Sequence, residues 1–265
     1  MNARFPMGVR RRMLTVEVAR REWLGPHLAR VTLTGADLAD FVHQGGDQCF
    51  RLFFPRPGQR ELRMPTLANN GWYAQLLTMP GRVRPNVRNM TVRSFRADVP
   101  ELDMDVAVHG DTPLSVWVRS VVAGSPAGVF DEGRGYRPPA DAASQLLIAD
   151  ESALAAAVAT AETTRATLPT RLLLEVPTSD DVQDLDLGEH VEVDWLPRDD
   201  PAVKPGELAL RRVRELALPA APVSVFVAGE SALATGARRA LVAAGVPKAA
   251  IDFTGYWKQG REPVG

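Results

Sequence analysis

The sequence predicts two domains of different class, an antiparallel β-barrel over residues 1–137 and a parallel α/β domain over residues 138–265. Short segments of strand character, separated by Gly, Pro and Asp clusters, fill residues 13–131, as in small antiparallel barrels. After Gly133, apolar strands alternate with helical segments, which is the pattern of a parallel sheet covered on both faces. We therefore expect a small antiparallel barrel followed by an open parallel sheet.

Five segments of the first half have strand character. They are MLTVEVARREW (13–23), LARVTLTG (28–35), QCFRLFFP (48–55), NVRNMTVRSF (86–95) and ELDMDVAVHG (101–110). The stretch at 55–82 has little regular pattern and is predicted to be a long loop. Val, Thr and Phe favour a strand at 86–95, and side-chain alternation then places Arg88 and Arg93 on opposite faces of that strand.

The second half alternates strands and helices. Strands are predicted at 144–150, 170–176, 191–196 and 222–229, helices at 151–168, 207–218 and 230–245, and DFTGYWKQG (252–260) closes the chain. Two strand–helix turns share one design, since LLIADESALAAA (146–157) and VFVAGESALATG (225–236) both place Glu-Ser-Ala-Leu at a helix start. Ligands of open α/β sheets bind at the carboxyl ends of the strands, so both turns are candidate anion sites. Their serines equally fit a helix-capping role.

Composition excludes several classes of function. A net charge of −1 over 265 residues provides no overall field for nucleic acid. The four histidines lie far apart in the sequence, so no protein-bound metal is expected. The single cysteine, Cys49, excludes an internal disulfide and fits the reducing cytoplasm. No apolar run approaches the roughly 20 residues of a membrane span, so no membrane insertion is predicted.

The order of the two domains resembles that of the ferredoxin-reductase type of flavoenzyme, in which the barrel holds a flavin and the second domain presents a nicotinamide nucleotide. This resemblance implies a six-stranded barrel. Residues 88–93, Arg-Asn-Met-Thr-Val-Arg, resemble the Arg-x-Tyr-Thr-x-Arg flavin motif of the siderophore-interacting proteins, the ferric-siderophore reductases of bacteria. Further segments resemble that family in the same order: GPHLARVTLTGADLADF, QCFRLFFP, VAVHGDTPLSVWVRS, ADESALAAAVATAE, VAGESALATGARRAL and GYWKQG. The resemblance extends from about residue 13 to residue 261.

The resemblance implies an FAD-dependent enzyme that reduces the Fe(III) of a ferric siderophore with electrons from NADH or NADPH. The alternatives are another flavin reductase, a reductase coupled to ferredoxin, and a flavin- or siderophore-binding protein without turnover. NADH is the expected donor, because residues 177–190 contain five acidic residues and no arginine or lysine to receive the 2′-phosphate of NADPH. Arg165 or Arg198 reaching that phosphate is the alternative.

The resemblance also implies three sets of site residues, none of them catalytic, because the flavin carries the chemistry. The flavin-binding residues are Arg88, Met90, Thr91, Val92, Arg93, His109, Asp111, Thr112, Leu114 and Ser115. The nicotinamide-binding residues are Asp150, Glu151, Ser152, Gly229, Glu230 and Trp257, in a domain whose C-terminal tail is expected to return to the flavin. Arg51 and Lys258 are expected to bind the siderophore, because many ferric siderophores are anionic.

Two departures from the family pattern fall on the flavin-binding residues. Met90 stands in place of the tyrosine, so a stacking ring becomes a thioether that still offers apolar and sulfur–aromatic contact. Thr112-Pro113-Leu114 stands in place of Gly-Pro-Ala, which enlarges two side chains beside the expected pyrophosphate. Backbone N–H groups at the turn can still meet phosphate. We therefore expect flavin binding to be retained but weakened.

Overall fold

Two kinds of sheet make up the structure, a computed structural model that describes residues 11–59, 61–218 and 221–261. The first sheet is antiparallel and the second is parallel, which confirms the predicted fold class. The chain divides into two compact units between Gly135 and Tyr136, close to the boundary predicted after residue 137, and Leu24–His27 group with the second unit. No helix in the described ranges is long and apolar enough to cross a membrane.

Seven strands and two α-helices, with a short 3-10 helix at Ala36–Asp40, form the described part of the first unit. They are β1 (Met13–Gly25), β2 (Leu28–Thr34), β3 (Cys49–Phe54), α1 (Trp72–Thr78), β4 (Asn86–Thr91), β5 (Ser94–Arg96), β6 (Glu101–Ala107), α2 (Pro113–Ser120) and β7 (Pro126–Gly133). The strand order is β4-β3-β7-β1-β2-β6-β5, so the two edge strands are consecutive in the chain. The two residues between these edge strands bond to the strands beside them: the N–H of Val92 donates to the carbonyl of Gln48, next to β3, and the N–H of Arg93 donates to the carbonyl of Asp103 in β6, both at 2.8 Å.

The prediction of six strands is wrong by one, and the predicted single strand at 86–95 is also wrong. That segment divides into β4, which pairs with β3, and β5, which pairs with β6. Arg93 therefore lies in the break between two strands rather than on the far face of the strand that carries Arg88. Strand β7 does not follow the alternation rule because both of its faces are buried: Val129 packs in the barrel core and Phe130 in a second cluster.

The second cluster includes residues of a helix that lies within residues 55–82, where the sequence predicts only a loop. The segment contains α1, whose Trp72 packs edge-on against Phe53 with ring centroids 5.6 Å apart. Leu76 of the same helix packs with Val87 and Phe130 in that cluster. Aromatic burial of this kind is a large apolar contribution to stability, and it anchors a helix too short to form by itself.

Five parallel strands and three α-helices form the described part of the second unit. They are β8 (Ser144–Ala149), α3 (Leu154–Thr164), β9 (Thr170–Val176), β10 (Val191–Pro197), α4 (Glu207–Glu215), β11 (Val223–Glu230), α5 (Ser231–Ala243) and β12 (Ile251–Trp257). The strand order β10-β9-β8-β11-β12 reverses direction between β8 and β11. In sheets of this type, the carboxyl ends of the two strands at the reversal flank the ligand crevice.

Candidate functional site

A buried carboxylate, Asp150, lies at the carboxyl end of β8, beside the point where the strand order reverses. Its Oδ1 accepts from the N–H and the hydroxyl of Ser152, at 2.9 and 2.6 Å. Its Oδ2 accepts from the N–H of Glu230 at 2.6 Å and from the indole N–H of Trp257 at 3.1 Å. One side chain therefore ties together the ends of three neighbouring strands.

The close approach of β11 to Asp150 requires a glycine at position 229. Gly229 has a φ of 137°, in the region that side chains disfavour. A Cβ at this position would lie 2.6 Å from the Cγ of Asp150. The structure thus brings together five of the six residues predicted to bind nicotinamide: Asp150, Ser152, Gly229, Glu230 and Trp257.

The residues at the end of β12 are held against the turn between β11 and α5. The Ser231 hydroxyl donates to the carbonyl of Trp257 at 2.7 Å. One oxygen of Glu230 accepts the N–H of Gln259 at 3.1 Å, and the other accepts the N–H of Ala232 at the start of α5. Glu230 therefore fixes both the helix start and the chain that follows β12.

The sixth predicted residue, Glu151, belongs to a neighbouring charge cluster. Arg198, which follows β10, donates Nη1 and Nη2 to Glu151 at 2.9 and 2.8 Å, and Nη1 also to Glu175 at 2.7 Å. The Glu175 carboxylate also accepts the N–H groups of Gly206 and Ala209 at the start of α4, at 2.6 and 2.8 Å. Although burial opposes its charged form, the bonds to Glu151 and Glu175 raise the pKa of Arg198. Sequence reasoning misses Glu175, although a charged residue near the end of an apolar strand is a detectable signal.

The buried position of Asp150 makes stability depend on pH. Burial, with repulsion from Glu151 as the second cause, raises the pKa of Asp150 from 3.8 to about 6, against the opposing bonds from Ser152 and Glu230. The folded state therefore holds this proton more tightly than the unfolded state. The stabilisation that results is complete below about pH 4 and is lost as the pH rises through about 6.

We expect Asp150→Asn to remove this pH dependence. Between about pH 4 and 7, the free energy of unfolding of the wild type should fall relative to the variant by about 3 kcal/mol, at about 1.36 kcal/mol per pKa unit. Urea unfolding at several pH values measures the difference. A wild-type-to-variant difference that does not vary with pH would contradict the raised pKa.

The flavin residues of the first unit lie on β4 and in the break that follows it. Arg88 is half-buried and its Nη1 donates to the carbonyl of Val87 at 2.7 Å. Arg93 lies with its Nε 3.7 Å from the Asp105 carboxylate. The side chains of Thr91 and Val92 are buried, and the N–H of Val92 donates a hydrogen bond to the carbonyl of Gln48. The two arginines of the motif are thus each oriented by a separate internal contact.

The turn at 109–115 leads into α2 and is held by hydroxyl groups. The Ser115 hydroxyl donates to the carbonyl of His109 at 2.9 Å and accepts its N–H at 3.1 Å. Thr112 caps the helix, because its Oγ1 accepts the N–H of Ser115 at 3.2 Å. The Leu114 N–H has no acceptor among the residues that the structure describes. Asp111 is exposed and pairs with Arg119 at 3.3 Å.

The turn at 109–115 fits the pyrophosphate of FAD, and the residues of β4 fit its ring. A capped helix start with an unused N–H is suited to phosphate. The side chains of Leu114 and Met90 both pack against the barrel core. The larger Leu114 side chain is therefore directed into the core rather than across the helix start, and Thr112, unlike glycine, supplies a capping oxygen.

The two residues predicted to bind the siderophore differ in their surroundings. Arg51 is 16% exposed, lies 3.1 Å from Glu132 and stands over the Trp72 ring at 5.8 Å. Its charge is thus compensated by Glu132, which reduces its attraction for an anion. Lys258 is exposed after β12.

The cysteine near Arg51 on β3, Cys49, is not a reactive group. Burial raises the pKa of its thiol, so Cys49 acts as a small apolar residue of β3. Within the described ranges, no group of three or more His, Cys, Asp or Glu side chains could hold a metal ion.

An antiparallel barrel followed by a parallel sheet of this strand order defines the ferredoxin-reductase-like class. The ferredoxin reductase of carbazole 1,9a-dioxygenase shares this fold, with a TM-score of 0.71 at 18% identity over 95% of this chain and 71% of that chain. Residues 17–134 match the siderophore-interacting FAD-binding domain, and residues 142–260 match the siderophore-interacting protein family. The chain belongs to the siderophore-interacting protein family, which confirms the resemblance seen in its motifs.

Relatives match along nearly the whole chain. The ferric vibriobactin reductase of Vibrio cholerae is 30% identical over 93% of this chain and 89% of its own length. The NADPH-dependent ferric-chelate reductase of Escherichia coli is 25% identical over 96% of this chain and 97% of its own. A siderophore utilization protein from T. fusca has a TM-score of 0.85 at 28% identity and covers 97% of both chains.

Proposed function

We propose that the protein reduces the Fe(III) of a ferric siderophore to Fe(II), with FAD as its cofactor and a nicotinamide nucleotide as electron donor. The observation that carries the proposal is the match of both units to the siderophore-interacting family, together with the Asp150-centred turns at the strand reversal. The names of the two relatives, a ferric vibriobactin reductase and an NADPH-dependent ferric-chelate reductase, agree with it. Because the electrons come from a nicotinamide nucleotide, we place the reaction in the cytoplasm.

Reduction is an effective way to release the iron. The hard oxygen ligands of a siderophore hold Fe(III) far more tightly than Fe(II), so the transfer of one electron loosens the chelate. A bound flavin takes up two electrons from a nicotinamide and passes them on singly. The chain has only to bind and orient, which agrees with a site in which no general base is required.

Each group of side chains has a proposed part in this binding. Arg88 and Arg93 hold the phosphate and ribityl portion of FAD, Met90 lies on the ring, and the helix start at Leu114 meets the pyrophosphate. Asp150 acts in a different way, because its hydrogen bonds fix the turn after β8 and the turn after β11 relative to each other. The nicotinamide nucleotide then meets a crevice of defined width between these turns.

An anaerobic titration tests the function. The purified protein loaded with FAD should be bleached by NADH or NADPH and reoxidised by a ferric siderophore, with Fe(II) captured by a chelating dye. A flavoprotein that neither nucleotide bleaches would instead indicate a ferredoxin-coupled enzyme or a binding protein without turnover. A protein that takes up no flavin would exclude the reductase, the ferredoxin-coupled enzyme and a flavin-binding protein, and would leave only a siderophore-binding protein without turnover.

We expect Met90→Tyr to tighten FAD binding by about 0.5–1.5 kcal/mol, the contribution of an aromatic pair beyond its buried area. The physical reason is that a ring stacks on the isoalloxazine more favourably than a thioether does. Titration of FAD into the apoprotein, followed by flavin fluorescence, measures the change. Leu77→Tyr, at an exposed position of α1, is the control. Identical affinity and flavin spectra in wild type and Met90→Tyr would show that residue 90 points away from the ring.

A further inference from the structure

The loop after β9 is acidic and contains no arginine or lysine. The candidates to receive the 2′-phosphate of NADPH are therefore two arginines outside this loop, Arg165 and Arg198. Arg165 follows the end of α3, which starts near the carboxyl edge of the sheet and runs back toward the amino edge. Eleven residues of helix carry it about 16 Å from the carboxyl edge, at about 1.5 Å per residue. Its Nη1 donates to the carbonyl of Asp186 at 3.1 Å. Arg165 is therefore too far from the ligand crevice.

Arg198 stands at the carboxyl edge but is engaged by two carboxylates. Glu151 follows β8, Glu175 lies near the end of β9 and Arg198 follows β10, so the cluster spans the ends of three adjacent strands. The Arg198 side chain is 8% exposed, and those of Glu151 and Glu175 are 13% and 0% exposed. One cation between two carboxylates leaves the cluster with a net charge of about −1.

The position of the cluster coincides with the nucleotide-discriminating part of this type of sheet. In doubly wound sheets, the group beside the end of the second strand meets the adenosine ribose: a carboxylate accepts from its 2′-hydroxyl, whereas a nearby arginine accommodates a 2′-phosphate. Here the second strand of the unit is β9, and both kinds of group are present beside its end. In the structure the arginine and the carboxylates are hydrogen-bonded to each other.

We propose that Glu151 and Glu175 determine nucleotide specificity by withholding Arg198 from a 2′-phosphate, so that the site selects NADH over NADPH. The inference rests on the proposed function, because it requires a nicotinamide nucleotide at the carboxyl edge. A 2′-phosphate brought to this cluster meets a net negative charge, and it gains the arginine only if a carboxylate gives it up. The 2′-hydroxyl of NADH carries no charge and meets neither obstacle.

Glu151 is the carboxylate to replace, because its substitution changes the charge beside Arg198 without removing a contact that holds a helix start. Glu175 is unsuitable because it also holds the N–H groups of Gly206 and Ala209 at the start of α4. Glu151→Gln keeps the shape of the side chain, removes one negative charge and leaves one acceptor oxygen where Arg198 had two. Glu192→Gln is the matched control, since Glu192 is exposed near the amino end of β10 and the substitution changes charge equally.

The experiment measures binding of two probes that differ only in the 2′-phosphate, adenosine 5′-monophosphate and adenosine 2′,5′-bisphosphate. Calorimetry on the FAD-loaded protein should show wild type binding the monophosphate at least about fivefold more tightly, the scale of one like-charge contact. Glu151→Gln should reduce that ratio by about fivefold or more, and Glu192→Gln should leave it unchanged. High salt screens charge repulsion, so it should also reduce the affinity ratio of the wild type. This second test requires no variant.

The outcomes distinguish this inference from the proposed function. The inference is overturned if the wild type binds both probes equally. It is also overturned if Glu151→Gln leaves the ratio of the two affinities unchanged. Neither result excludes a nicotinamide site. If neither probe binds to any form and neither nucleotide bleaches the flavin, the proposed electron donor is itself overturned. Thermal melts establish that each variant is folded, and Glu151→Ala replaces Glu151→Gln if the latter is not.

Discussion

Replacement of Arg88 with alanine is expected to weaken FAD binding by about 1.5–3 kcal/mol, the range for a hydrogen bond to a charged group. This corresponds to an increase of roughly ten- to 150-fold in Kd. The guanidinium is permanently charged and presents a planar fork that matches phosphate. In the structure it is oriented by its bond to the Val87 carbonyl, so little side-chain freedom remains to be lost when phosphate binds.

Flavin fluorescence during titration of the apoprotein measures the loss. Arg82→Ala removes the same charge from an exposed position of the first unit and should leave Kd unchanged. Arg88→Lys keeps the charge but not the fork, so an affinity between those of wild type and Arg88→Ala is expected. If Arg88→Ala binds FAD as wild type does, Arg88 is not part of the flavin site.

The second unit can be predicted more fully than the first because of how its strands are buried. Parallel strands covered on both faces appear as continuous apolar runs, and β8, β9 and β11 all do so. In the first unit, β7 is also buried on both faces, through a cluster built around α1. Neither α1 nor β5 has a strong local signal, since α1 depends on packing of Trp72 and β5 contains three residues.

The candidate site is only partly accessible to sequence reasoning for a related reason. The repeated Glu-Ser-Ala-Leu turns locate two strand ends, but strand order decides that both meet at Asp150. The partners of Arg198 lie 23 and 47 residues away and share no motif. The family resemblance predicts that Arg51 faces an anionic ligand, whereas α1, which has no strong local signal, brings the Trp72 ring to 5.8 Å from its guanidinium. Tertiary pairing, rather than local pattern, determines each of these environments.

Gly229→Ala is expected to lower the free energy of unfolding by about 3 kcal/mol or more, and to abolish reduction of the flavin by nicotinamide. A side chain at a φ of 137° costs about 1–3 kcal/mol in backbone strain. The new Cβ would also collide with the Asp150 carboxyl, 2.6 Å away, and displace it from the Glu230 N–H. Leaving buried hydrogen-bonding groups unpaired adds about 1–3 kcal/mol.

Two other glycines separate these causes of instability. Gly245 has a φ of 97°, and a Cβ added there would meet no described atom within 4 Å, so Gly245→Ala measures the strain alone. At Gly255, a Cβ would lie 2.7 Å from the Ser231 Oγ without a disfavoured φ, so Gly255→Ala measures collision alone. Urea unfolding of the three variants gives the comparison. The cost at Gly229 should exceed either control, because strain and collision act there together. A cost no larger than that of Gly245→Ala would mean that Asp150 moves aside freely, and that it does not hold the two turns in place.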